Sequence, residues 1–174
     1  IWLCANESSI FRWQDEKLHR LFTASAPFWT VFEDSAGGLW GSGWLVGGRR
    51  YFGRQWHEIS PPLTDALAAT AALFEDRAGN MWLGGRYGAA RYDGKMAAIH
   101  VPPYFNSERQ DLVISFAEAP DGAIWLGTRF GCLHPIYEGA FQTFWNENHE
   151  EADPFVRSIL TAPVLSGFRG SETD

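Results

Sequence analysis

Two acidic doublets, Glu33-Asp34 and Glu75-Asp76, are the residues of this 174-residue sequence best suited by type to general acid–base chemistry. They stand in nearly the same surroundings, VFEDSAGGLW from Val31 and LFEDRAGNMW from Leu73. A catalytic pair converges on one point, whereas residues repeated along a chain form a ring. The repetition therefore predicts a structural role, in turns and at strand ends, where short acidic side chains bond the backbone. The five histidines, His19, His57, His100, His134 and His149, show no ligand spacing for a metal. Gly41-Ser42-Gly43 is not a G-x-S-x-G elbow, and no partner histidine is definable, which argues against a nucleophilic serine. The acidic stretch 147–153, ENHEEAD, does not follow EF-hand spacing and reads as a solvated loop. Cys4 and Cys132, the two cysteines, read as buried thiols. No catalytic residue, metal or cofactor is expected.

Recognition is the chemistry that remains. Arg86-Tyr87 and Arg129-Phe130 occur at corresponding points of two similar segments, with Trp44 at the comparable point of a third. An aromatic ring can cover the apolar face of a sugar, and a guanidinium offers several donors to hydroxyls or carboxylates. An acidic oligosaccharide would suit such a set. The competing reading is that Tyr87 and Phe130 pack internally and the arginines merely share a repeated exposed position.

The elements that must carry these residues follow from an internal repeat. IWLCA from Ile1, LWGSG from Leu39, MWLGG from Met81 and IWLGT from Ile124 align on Trp2, Trp40, Trp82 and Trp125, at intervals of 38, 42 and 43 residues. Ahead of the full anchors, Glu33, Glu75 and Glu118 coincide, as do Gly37, Gly79 and Gly122. Each unit then reads as four short strands separated by glycine-bearing turns, the pattern of a β-propeller blade. Nine Trp, thirteen Phe and eighteen Gly fit sandwiched strands joined by tight turns. The expected fold is all-β: a β-propeller fragment of about four blades, each of four antiparallel strands, incomplete at both ends. Residues 1–160 form the partial propeller and 161–174 a degenerate or displaced tail. Ile1 falls at the second strand of a blade, and 155–160, FVRSIL, reads as the first strand of another. The alanine-rich stretch 63–72, LTDALAATAA, favours helix by propensity, but the repeat register requires a loop leading into a strand.

A net charge of −7 argues against nucleic acid, which needs clustered Lys and Arg. No apolar run approaches the roughly 18 residues of a membrane span. Because Ile1 and Trp2 already lie inside a repeat, any export signal is expected upstream.

The pattern F-E-D-x-x-G-x-x-W-L-G-G/T, followed by a second glycine and an R-Y pair, resembles the two-component regulator propeller repeat. LFEDRAGNMWLGGRYGAARYDG and IWLGTRFGCL match it best; Gly41-Ser42-Gly43 departs from it. The resemblance implies a periplasmic or extracellular sensor domain on a membrane-anchored protein, with a histidine kinase or another phosphorelay output elsewhere in the parent chain. In such a fold, the loops into the innermost strands and the turns between second and third strands gather at one channel mouth. The residues expected to line it are Trp44, Arg86, Tyr87, Tyr104, Phe105, Arg129 and Phe130, with Phe28, Trp29 and Trp145 on adjoining loops. Expected partners are a small-molecule or oligosaccharide ligand, the remaining blades and signalling modules of the parent chain, and a second copy in a homodimer. Two other classes stay open. One is a propeller enzyme, resembling streptogramin lyases or acting on glycosides; the other is a protein-interaction scaffold.

Overall fold

The computed structural model describes residues 1–5, 9–23, 28–43, 47–52, 55–58, 69–86, 88–94, 97–100, 112–129, 133–137 and 140–141. Every regular element among them is a strand. The first sheet holds β1 (Trp2–Ala5), β2 (Ser9–Gln14) and β3 (Lys17–Thr23); the second holds β4 (Thr30–Glu33), β5 (Leu39–Gly43), β6 (Gly47–Phe52) and β7 (Gln55–Glu58). The third comprises β8 (Ala72–Glu75), β9 (Met81–Gly85), β10 (Gly88–Tyr92) and β11 (Ala97–His100). The fourth comprises β12 (Val113–Glu118), β13 (Ile124–Thr128), β14 (Leu133–Tyr137) and β15 (Ala140–Phe141).

All four are antiparallel meanders in sequence order, and the anchors sit at one register: Trp40 opposite Phe32 and Arg50, Trp82 opposite Phe74 and Arg91. Strand β1 carries Trp2 and, among the described residues, pairs with β2 at one edge of a three-stranded sheet. The first strands of successive sheets, β4, β8 and β12, neighbour one another, which is the innermost position of a propeller. Where propensity favours helix, Ala69 and Thr70 are irregular and β8 begins at Ala72; residues 63–68 lie outside the described residues, as do 155–160 and the tail 161–174.

Packing between blades explains why β5 and β9 are buried at every position rather than alternately. Trp40 enters a cluster with Met81, Leu83 and Ala90 of the third blade, and its ring meets Tyr92 edge-on at 5.7 Å. Trp82 does the same toward the fourth blade, among Val113, Ile124, Leu126 and Ile136. Between the first two blades the cluster is Ile10, Phe28 and Leu39, flanked by Trp2, Cys4, Tyr51 and Trp56. Each odd position of the second strand thus faces one neighbouring blade and each even position the other, the two-residue period of a strand used on both faces.

The hairpins between first and second strands share one geometry. In the second blade Gly37 N bonds Asp34 O and Asp34 N bonds Gly38 O, both at 2.8 Å, with Gly37 at φ +79°. Gly79 (φ +81°) and Gly122 (φ +88°) repeat it. This is a type I turn closed by a left-handed residue, which glycine adopts without a Cβ penalty.

Candidate functional site

The acidic doublets serve the turns and the joints between blades. The Asp34 carboxylate accepts from the Gly38 amide, from Trp40 Nε1 at 2.7 Å and from the Arg50 guanidinium at 3.1 Å. Arg50 also lies over the Trp40 ring, 5.4 Å from its centroid. Asp76 accepts from the amides of Ala78 and Asn80, from Asn80 Nδ2 and from Trp82 Nε1 at 2.8 Å. The aspartate thus closes its own turn and fixes its own anchor tryptophan.

The glutamate beside it reaches the preceding blade. Glu75 accepts from the Ser35 amide at 2.7 Å and from Ser35 Oγ at 2.6 Å; Glu118 accepts from the Arg77 amide at 2.7 Å and pairs with Arg77 Nε at 3.2 Å. The Arg77 guanidinium further donates to the Ala119 carbonyl. Glu33 accepts from Trp2 Nε1 of the first blade. Every carboxylate of the doublets therefore already has donors around it, in a ring of equivalent joints, the role that their repetition predicts.

The opposite end of the blades is built by three backbone bonds that prolong the first-to-second strand ladder: Trp29 N to Ser42 O, Ala71 N to Gly84 O, and Arg129 N to Leu112 O. They bring the start of each innermost strand beside the end of the second strand. Arg86 and Arg129 follow β9 and β13 directly, so they occupy one position in successive blades, at the end remote from Asp34, Asp76 and Asp121. Arg129 is exposed and Arg86 half-buried. Arg50 and Arg77 are paired with carboxylates at the hairpin end, whereas Arg86 and Arg129 stand at the other end, away from those carboxylates. Trp44, Tyr87, Tyr104, Phe105, Phe130 and Trp145 lie outside the described residues.

The two aromatics at the start of β4 part company. Phe28, expected at the mouth, is instead buried at 3% exposure, its ring 4.7 Å from that of Trp56. Gly41 makes this possible, because a Cβ there would stand 2.7 Å from the Phe28 ring. Trp29 keeps 46% of its surface exposed. Leaving half an indole in water forgoes roughly 100 Å² of burial, about 2.5 kcal/mol. Ser42, buried between blades where the third and fourth carry Gly84 and Gly127, has no hydrogen-bond partner for its hydroxyl among the described residues. Cys4 donates to the Phe28 carbonyl at 3.0 Å, and burial pushes its thiol pKa up, the opposite of an activated nucleophile. Among the described residues, no group of three or more His, Cys, Asp or Glu side chains is placed to hold a metal ion.

No protein-family model matches the sequence, and no curated protein matches it. Solved structures do match in fold. The extracellular domain of a hybrid two-component system from B. thetaiotaomicron superposes with a TM-score of 0.70 at 20% identity, over 91% of this chain and 22% of that one. A second extracellular domain from the same organism, described as a one-component system, gives 0.72 at 15% identity, over 91% and 23%. A catalytically inactive virginiamycin B lyase from Staphylococcus aureus, solved with quinupristin, gives 0.63 at 16% identity, over 84% and 59%. This chain spans under a quarter of the length of the two extracellular domains. It shares its fold with their propellers.

Proposed function

We propose that this chain is part of an extracytoplasmic ligand-sensing propeller of a bacterial two-component signalling protein. Its mouth binds an oligosaccharide without altering it, and the occupied propeller passes the signal to a histidine kinase or another output module elsewhere in the parent protein. The observation that carries the reading is the repeated arginine position: Arg86 and Arg129 stand on successive blades at the end away from the hairpin carboxylates, the end at which the second blade carries the exposed Trp29. Two guanidiniums one blade apart suit a chain-like ligand bearing carboxylates or hydroxyls at intervals, since each offers several donors in one plane. The likeness in fold to extracellular domains of signalling proteins supports the location and the class. Trp44, Tyr87, Tyr104, Phe105 and Phe130 complete the proposed lining.

The test is binding of neutral and uronic-acid-containing oligosaccharides to the complete propeller by calorimetry. Saturable binding that weakens about tenfold or more in an Arg86→Ala, Arg129→Ala double variant is the expected result. Binding indifferent to both substitutions would sink the assignment of the rim.

The lyase likeness gives a second reading, an enzyme using the same mouth. The hydrogen bonding of Glu33, Asp34, Glu75, Asp76 and Glu118 within turns and joints weighs against it, because these carboxylates are engaged away from the mouth. Release of a smaller sugar or an opened ester during incubation with the binding panel or quinupristin would favour it.

A further inference from the structure

Five large apolar side chains are exposed among the described residues: Ile1, Leu3, Trp13, Leu18 and Trp29. The first four share one face of the first blade, Trp13 lying opposite Leu18 in the ladder and joined through its backbone to Ile1. Trp29 stands apart. It belongs to the second blade, which has a neighbour on both faces, and it opens at the end where Arg86 and Arg129 stand.

The repeat changes at this point, as it does in another way in the fourth blade, where the ladder shifts register between Val113 and Ser115. Thr70-Ala71 occupy in the third blade the ladder position that Phe28-Trp29 hold in the second. Beneath them Gly41 replaces the leucine found at Leu3, Leu83 and Leu126. An added Cβ at Gly41 would meet Phe28 at 2.7 Å and Trp56 at 3.0 Å, so the missing side chain is the space into which Phe28 fits. Residue 28 is held further by its carbonyl, which accepts from Cys4 Sγ, and residue 29 by its amide, which donates to the Ser42 carbonyl at 2.8 Å. Both bonds hold the one peptide unit that leads into Trp29, and on its other side the ladder resumes with Thr30 opposite Ser42, so the backbone at the indole is fixed. On a fixed backbone the indole has only its two side-chain torsions to settle when a ligand arrives, which is where preorganised aromatic contacts gain their affinity.

From this geometry we infer that Trp29 is the stacking platform of the mouth, the surface against which the apolar face of one pyranose ring lies while the arginine rim engages its polar substituents. The inference rests on the oligosaccharide-binding reading above. Phe28 and Gly41 act through Trp29, as positioning residues.

The test uses the full-length protein and the same panel of neutral and uronic-acid-containing oligosaccharides, with affinity and unfolding temperature measured for each variant. Trp29→Ala is expected to raise Kd about tenfold or more in a variant still folded at the assay temperature, and Trp29→Phe to stay within about threefold of the parent. Gly41→Ala, which drives Phe28 from its slot, is expected to lower affinity and unfolding temperature together. Trp29→Leu separates stacking from packing: restored affinity in that variant overturns the platform. An unchanged Kd in Trp29→Ala, with the arginine double variant still weakened, overturns this inference alone. Absence of saturable binding by the unaltered protein overturns it together with the reading on which it rests.

Discussion

At the scale of single residues, position within the repeat matters more than chemical type. Asp34 and Asp76 resemble catalytic acids in sequence, yet each collects donors from its own turn and from the indole two residues past the turn. Removing such an acceptor strands several donors at once. Asp76→Ala is expected to destabilise by about 2–3 kcal/mol, read from urea unfolding, because the Trp82 indole and the Asn80 amide lose a charged partner together. Ser42 is the reverse case. Its hydroxyl is buried without a partner among the described residues, so Ser42→Ala removes an unmet polar group while keeping the Cβ. A gain of about 1 kcal/mol in unfolding free energy is expected, and a loss would show that the hydroxyl has an acceptor or donor in solution.

At the scale of elements, the hairpins carry the fold, and their strain is local. Gly79 has no atom within 4 Å of where a Cβ would sit, so Gly79→Ala tests the left-handed backbone alone; a cost of about 1 kcal/mol is expected from thermal melts. The turn between β2 and β3 uses Asp15 and Glu16 at φ 51° and 58°, a two-residue turn whose first place suits aspartate and whose second suits glycine far better than glutamate. Asp15→Asn with Glu16→Gly is expected to raise stability by about 1 kcal/mol. These turns were legible because their demand falls on one residue type: a left-handed residue three places before the anchor is glycine in every full copy. The strands were legible because a blade sandwiched between neighbours needs apolar residues on both faces. What escaped sequence reasoning lies between blades. The register of the repeat places Glu75 within its own unit but says nothing of Ser35, 40 residues earlier, to which it bonds. Phe28 departs from its expected place for a related cause. Its exposure depends on whether the floor beneath has a side chain, and the signal, Gly41 in place of a leucine, gains meaning only when the two are brought together in space. At the candidate site, the arginine positions could be read from the repeat, while the division between a buried Phe28 and an exposed Trp29 could not.

At the scale of the whole molecule, stability is divided among the interfaces that stack one blade on the next, as in other repeat architectures. Leu3 and Leu83 hold the same place in the repeat, the residue after the anchor tryptophan. Leu83 is fully buried against Trp40 of the preceding blade, whereas Leu3 is 43% exposed, on the face it shares with Ile1 and Trp13. Two identical substitutions at equivalent positions should therefore differ by nearly the whole value of one interface contact. Leu83→Ala opens a cavity between two packed blades and is expected to cost about 2–5 kcal/mol. Leu3→Ala, in the chain of these 174 residues, is expected to cost under about 1 kcal/mol, since much of that side chain already meets water. Paired urea titrations decide the matter. Equal losses at the two positions would mean that the first blade's outer face is covered in solution, by a second copy of the chain or by a rearranged segment. In that event the dependence of the unfolding midpoint on protein concentration distinguishes the two, because only association between copies makes stability rise with concentration.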